Sequence, residues 1–152
     1  MKKTVFKIYF TLAFLSLIFL NAFAVDPIKF ELSGRWSFIC FSDSLTNFEE
    51  CPIINNENDF FIEFDPDGKK GIIYGRSSYN FLNGEYLIDS LNNVRLKNMG
   101  GTKRSELTKC SRMFYDAFRN STSVFLNEGR LNVTYGSENK LMKFVKAQKN
   151  NK

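Results

Sequence analysis

After residue 24 the apolar positions alternate with polar ones at the two-residue period of half-buried strands. In "GRWSFICF", Trp36, Phe38 and Cys40 fall on one face and Ser37 and Ile39 on the other. "DFFIEFD" turns Phe60, Ile62 and Phe64 inward and leaves Phe61, Glu63 and Asp65 outward. "DPDG" then supplies turn chemistry into "KKGIIYGR", because Pro presets one dihedral and Gly accepts a reversed one. "GEYLIDS" and "VRLKN" pair across "LNN", and "TSVFLNE", "RLNVTY" and "KLMKFVK" close the chain across "EG" and "GSEN". The polar stretch 42–58 between the first two runs reads as a long loop.

One segment changes period. In "ELTKCSRMFYDAFRN", Leu107, Cys110, Phe114, Ala117 and Phe118 recur at helical spacing, with Lys109, Arg112, Asp116 and Arg119 mostly elsewhere. The pattern predicts an α+β, mostly β fold. It is a single small antiparallel β-barrel-like domain of about eight strands with one helix packed against it. The 18 aromatic residues beyond position 24 sit on alternating strand positions and on the helix stripe, which favours a filled core over a ligand cavity.

The first 24 residues have a different grammar. Lys2, Lys3 and Lys7 precede an apolar run from Ile8 to Leu20, and "NAFA" offers Ala22 and Ala24 to a signal peptidase. The run is short for a bilayer-spanning helix, which needs about 20 apolar residues. Cleavage after Ala24 is expected, leaving a short lead-in over 25–31, a domain over 32–146 and a basic disordered tail over 147–152. The protein is then exported, periplasmic or extracellular, with no transmembrane segment in the mature chain.

That division changes the meaning of the charge. Of 21 basic residues, Lys2, Lys3, Lys7, Lys146, Lys149 and Lys152 lie at the two ends, leaving 15 against all 16 acidic residues between positions 25 and 145. The excess is a property of the ends, so a nucleic-acid partner is not expected.

No histidine occurs. Ser-His and Cys-His nucleophile pairs and His-containing metal sites are therefore excluded. "DPDG" lacks the remaining ligands of a calcium loop, "GGTK" at Gly100–Lys103 fails the spacing of a phosphate loop, and Glu63 with Asp65 reads as a solvated face. Neither catalytic residue, nor metal, nor cofactor is expected. "NST" at Asn120 and "NVT" at Asn132 fit the glycan-acceptor pattern, but the "MKK" start and the Asn-, Lys-, Ile- and Phe-rich composition lean bacterial.

Three cysteines, Cys40, Cys51 and Cys110, leave one thiol over if an exported domain forms a disulfide. Cys40–Cys51 would close a short loop, with Cys110 behaving as a small hydrophobe in the helix stripe. Either other pairing, or three free thiols, stays open on sequence.

The order of several stretches carries a resemblance. "GRWSF" opens the domain and "FFIEFDPDGKKGIIYG" makes a hairpin; "NFLNGEY", "TKRSE", the helix with Phe114 and Phe118, "RLNVTY" and "LMKF" follow. This series resembles the META domain, or HslJ-like, family of small exported and envelope-associated β-domains over about residues 32–146. Its most specific parts are Asn80-x3-Gly84-x-Tyr86 and the Thr102-Lys103 step. The resemblance implies structural roles for Trp36, Asn80, Gly84, Tyr86, Thr102, Phe114 and Phe118. Gly84 would supply a backbone shape as the chain turns into a strand, Asn80 would bond its own turn, and Tyr86 would point to the core with Ile88. Many family members carry a Cys before the Asn and another after the Thr-Arg/Lys step, where Tyr79 and Glu106 stand here. The acidic residue often found a turn before the first helix Phe is replaced around Ser111.

The family is linked to stress tolerance, motility and virulence without an agreed activity. The resemblance thus implies a non-catalytic domain that binds or stabilises an envelope or secreted protein partner. The alternative is a lipocalin-like carrier of a small apolar ligand, prompted by Gly34-x-Trp36. A lipocalin helix is followed by about one strand, whereas three runs follow the helix here.

Overall fold

Eight antiparallel strands close on themselves because the first pairs with the last. A computed structural model describes residues 31–50, 60–67 and 70–147. The leader, most of the lead-in, Cys51 and most of the basic tail lie outside the described residues. In chain order the elements are β1 (Gly34–Asp43), β2 (Phe48–Glu50), β3 (Phe61–Asp67), β4 (Lys70–Arg76), β5 (Phe81–Ile88) and β6 (Val94–Gly101). Then come α1 (Lys109–Arg119), β7 (Ser121–Asn127), β8 (Arg130–Tyr135) and β9 (Ser137–Lys146). The order round the sheet is β1-β3-β4-β5-β6-β7-β8-β9, with β9 returning to β1 through Phe38↔Phe144 and Ser42↔Leu141. This is the mostly β barrel that the alternation predicts, with one helix, α1, packed on it among the described residues.

β2 is an addition. The stretch 42–58, expected to be a loop, begins with the end of β1, turns back at Asn47 (φ 52°) and pairs Asp43↔Phe48 and Phe41↔Glu50. Three residues of strand carry too little periodicity to be read from a polar sequence. Register shifts in β1, β5–β6, β7 and β8 add local twist to strands that must coil to close. β7 and β8 join through Glu128 and Gly129, both at positive φ (51° and 72°), the backbone that a two-residue hairpin demands.

The inward positions follow the alternation: Trp36, Phe38 and Cys40 of β1, Ile62 and Phe64 of β3, and Tyr86 and Ile88 of β5 are all buried. α1 adds Phe114, Ala117 and Phe118 to the same core. The Phe114 ring stands 5.0 Å from Phe38, 5.1 Å from Phe60 and 6.1 Å from Phe144. Toward the β3–β4 turn, Phe64 meets Tyr86 edge-on at 5.4 Å. Edge contacts such as Phe38–Phe114 and Phe64–Tyr86, with Phe60 stacked on Phe114, suit aromatic quadrupoles and add to the area they bury.

Leu107 corrects the predicted stripe. The helix starts later, with Thr108 as N-cap, and Leu107 is 58% exposed before it. Ser111 takes the buried place instead, exchanging hydrogen bonds with Thr108 in a capping box. A hydroxyl that completes a cap is satisfied locally, so it can be buried where spacing alone suggests an apolar side chain.

Candidate functional site

Two of the motif residues, Asn80 and Thr102, meet at the β4–β5 turn. Arg76 pairs with Phe81, so Ser77–Asn80 form the connection, closed by Ser77 N donating to the Asn80 carbonyl at 3.0 Å. Asn80 is 1% exposed. Its Oδ1 accepts from Thr102 Oγ1 at 3.0 Å and from the Arg104 amide at 2.7 Å, while its Nδ2 donates to the Arg104 carbonyl at 2.8 Å. Thr102 Oγ1 also accepts from the Phe81 amide at 3.1 Å. Asn80 therefore holds more than its own turn: it fastens the turn to the strand-free segment that leads from β6 into α1.

Glu106 completes this fastening. Its carboxylate accepts from the Ser77 and Ser78 hydroxyls and from Asn80 Nδ2, and Ser78 Oγ accepts from the Leu107 amide at 3.3 Å. Burial pushes the Glu106 carboxyl up, but hydrogen bonds from Asn80, Ser77, Ser78 and Ser111 outweigh it and hold the group below the ordinary value. Tyr79 points away, 48% exposed. The resemblance places a cysteine at position 106. In this chain a carboxylate there ties segments 77–80 and 104–107 together without a covalent bond. Little in the local sequence marks it, because Ser77, Ser78 and Asn80 lie 26 to 29 residues away.

Gly84 is structural in a different way from that expected, whereas Tyr86 turns to the core with Ile88 as expected. Gly84 lies inside β5, not at its start, because the strand begins at Phe81. A Cβ there would collide with Met99 Sδ and come within 3.1 Å of Ile73 Cγ2, beside the register shift between Asn83 and Glu85. Space, not a reversed dihedral, requires the glycine. Tyr86 is fully buried, and its ring occupies the place a side chain on Gly71 would need. Trp36, 3% exposed, donates Nε1–H to the Leu32 carbonyl at 2.9 Å, and Lys146 Nζ stands 4.4 Å above its ring.

Of the cysteines, Cys40 is buried with Sγ 3.1 Å from Glu49 Oε1. Cys51, its expected partner, lies outside the described residues. Cys110 is a free, half-buried thiol, pushed up to about 11 by burial and, secondarily, by the charge of Glu50. Asn132, within one of the glycan-acceptor patterns, is buried in β8.

The outer face of β3, β4 and β5 is where aromatic side chains meet solvent. One cross-strand row reads Phe61, Arg76, Phe81; the next reads Glu63, Tyr74, Asn83; the third reads Asp65, Ile72, Glu85. Phe81 is 67% exposed and Tyr74 46%. Arg35 on β1 lays its guanidinium 3.8 Å from the Phe61 ring centre and pairs with Glu63 at 3.3 Å. Between these groups runs an open cleft of about 570 Å³, reaching Thr102 at one end. The alternation assigned Phe61 and Glu63 outward, but only the pairing register places Tyr74 and Phe81 beside them.

A second open cleft, about 660 Å³, lies between the β1–β2 hairpin, α1 and the β8–β9 turn, lined by Asp43, Glu49, Met113, Tyr135 and Lys140. No helix among the described residues is long and apolar enough to cross a membrane.

No family model matches the chain, and no curated protein matches it. Two solved structures share the fold. A protein from Burkholderia xenovorans, determined by NMR, superposes with a TM-score of 0.59 at 13% identity, covering 83% of this chain and 93% of its own. A DUF4847 family protein from Bacteroides vulgatus superposes with a TM-score of 0.52 at 16% identity, covering 78% of this chain and 96% of its own. At these identities the likeness is one of fold: the described residues form a closed antiparallel barrel with α1 packed on it, similar to both.

Proposed function

We propose that the protein is an exported, non-catalytic META/HslJ-like barrel domain that binds an envelope or secreted partner through the outer face of β3–β5. The observation that carries this reading is the aromatic row itself, with Phe81 and Tyr74 solvent-exposed on strands whose inner positions are fully used by the core. Export rests on the leader pattern of residues 1–24, and the family assignment on the order of the motif stretches.

Two features support a binding role over a chemical one. The Ser77 and Ser78 hydroxyls, the nearest approach to an activated nucleophile, are 2% and 6% exposed and donate to Glu106, so a substrate has no access to them. The carrier alternative requires volume inside the barrel, and the described inward rings of Phe38, Phe60, Phe114 and Phe144 are in contact with one another. The outer face offers what the interior does not: rigid aromatic area already in water.

A photo-crosslinking residue at position 81, introduced in the producing cell, is expected to form adducts. The same residue at Leu91, exposed in the β5–β6 turn, is expected to form none. Equal labelling from both positions, or none from position 81, would contradict outer-face binding. Intact mass of the exported product is expected to begin at Val25; a product retaining residues 1–24 would contradict export by cleavage.

A further inference from the structure

The composition of the outer face says what kind of partner it suits. We propose that it is a platform for an uncharged or charge-balanced glycan strand, laid across β3, β4 and β5; this rests on the outer-face reading above and specifies its ligand.

The first observation is the interleaving. A polypeptide-docking patch concentrates its aromatic anchors into one desolvated centre. Here each ring has polar neighbours: Arg76 separates Phe61 from Phe81, and Tyr74 lies between Glu63 and Asn83. A pyranose has the matching character, with an apolar face of C–H bonds for a ring and a rim of hydroxyls for hydrogen bonds. Phe61 and Phe81 stand two strand spacings apart, about 10 Å. That separation lets successive same-facing sugars of an extended β-linked strand each find a ring, with Tyr74 offset beneath.

Donor and acceptor inventory is the second observation. Arg35 and Arg76 only donate, Glu63 and Glu85 only accept, and Asn83 does both. Hydroxyls, which donate and accept, can use every one of them. A polyanion would instead want a basic groove behind the stacking rings. The face lacks that bias, since Arg35 and Arg76 are opposed by Glu63, Asp65 and Glu85.

Third, the strands here have no free edge. β3, β4 and β5 are paired on both sides, so an extended peptide cannot add to them as a further strand. A ligand must lie on the side chains. The surface is also set in advance: Arg35 is held by both Phe61 and Glu63, Thr102 by Asn80, and Gly100, opposite Asn83, leaves open space beside the row. Groups already fixed lose little freedom on binding.

The test is a titration of the isotope-labelled exported protein with the β-1,4-linked hexamer of N-acetylglucosamine and with cellohexaose, followed by backbone amide shifts. Shifts confined to residues around Phe61, Tyr74, Phe81 and Gly100 are expected. Phe81→Ala should weaken binding about tenfold, the scale of one lost stacking contact, while Phe125→Ala, at an exposed ring on β7, should leave it unchanged. No response to either oligosaccharide at millimolar concentration, or shifts centred elsewhere, would overturn the glycan assignment. If position 81 crosslinks polypeptide in cells while both sugars fail, the ligand class is wrong and outer-face binding stands. If neither occurs, both fall.

Discussion

Glu106→Ala removes the acceptor that joins the β4–β5 turn to the segment entering α1. Three donors of the turn lose it: the Ser77 hydroxyl, the Ser78 hydroxyl and Asn80 Nδ2. Their losses differ. Asn80 Nδ2 keeps the Arg104 carbonyl at 2.8 Å, and Ser77 Oγ keeps a long contact to the Asn80 carbonyl at 3.4 Å. Ser78 Oγ has only the Leu107 amide left in view, and that is a donor. A buried donor left without a partner costs about 1–3 kcal/mol, and water reaching the vacated, half-buried site recovers part of it. The expected destabilisation is about 2–3 kcal/mol, or roughly 10 °C in Tm for a domain of this size. Tyr79→Ala, next in sequence but exposed, should stay within about 0.5 kcal/mol. Chemical denaturation of the three proteins measures both. A Glu106→Ala midpoint indistinguishable from that of Tyr79→Ala would refute a role for the carboxylate in holding the two segments. The pH dependence has a definite sign. Because the folded Glu106 carboxyl titrates below its ordinary value of 4.5, its contribution is fully present above that pH and is lost as pH falls through the folded value. The stability gap between wild type and Glu106→Gln should therefore narrow on acidification below 4.5; a gap constant down to pH 3 would contradict the hydrogen-bonded charge.

Other expectations follow from the packing. Phe114→Ala removes a fully buried ring in contact with Phe38, Phe60 and Phe144 and should cost about 3–5 kcal/mol by denaturation; a near-neutral midpoint would mean α1 does not belong to the core. Gly84→Ala pushes a methyl into Met99 and Ile73 and should cost about 1–3 kcal/mol, with Met99→Ala restoring part of the loss in the double variant. Cys110, with its thiol pushed from 9.0 up to about 11, should alkylate at pH 8 about a hundredfold more slowly in the folded protein than in denaturant. Equal rates would show that the thiol is neither buried nor near Glu50.

The barrel was legible because its inner face is aromatic and its strands keep the period of two. Trp36–Phe38–Cys40 and Phe60–Ile62–Phe64 declare their direction without neighbours, and Phe114, Ala117 and Phe118 declare the helix. What escaped is what depends on register or distance. β2 is too short for a period, Leu107 lost its place to a capping Ser111, and Gly84 is demanded by a methionine on the adjacent strand. Asn80 was legible as a turn residue, but its bonds to Thr102 and Arg104 cross 22 and 24 residues. Glu106 stood out only as a departure from the family pattern. The outer aromatic face was half visible: alternation turned Phe61 outward and the DPDG hairpin put the Tyr74 strand beside it, but the register, and the place of Phe81 on the next strand, came only with the fold.

The outer face and the core make separable demands on the same aromatic composition, and one measurement separates them. Crosslinking yield from a photo-reactive residue at Tyr79, exposed in the β4–β5 turn two residues before Phe81, can be compared in cells between the wild-type background and Tyr74→Ser/Phe81→Ser. Both replaced rings are exposed, so the double variant should keep its denaturation midpoint within about 1 kcal/mol and lose most of its adducts. Undiminished adducts from a stably folded double variant would contradict the claim that this barrel works through the outer face of β3–β5.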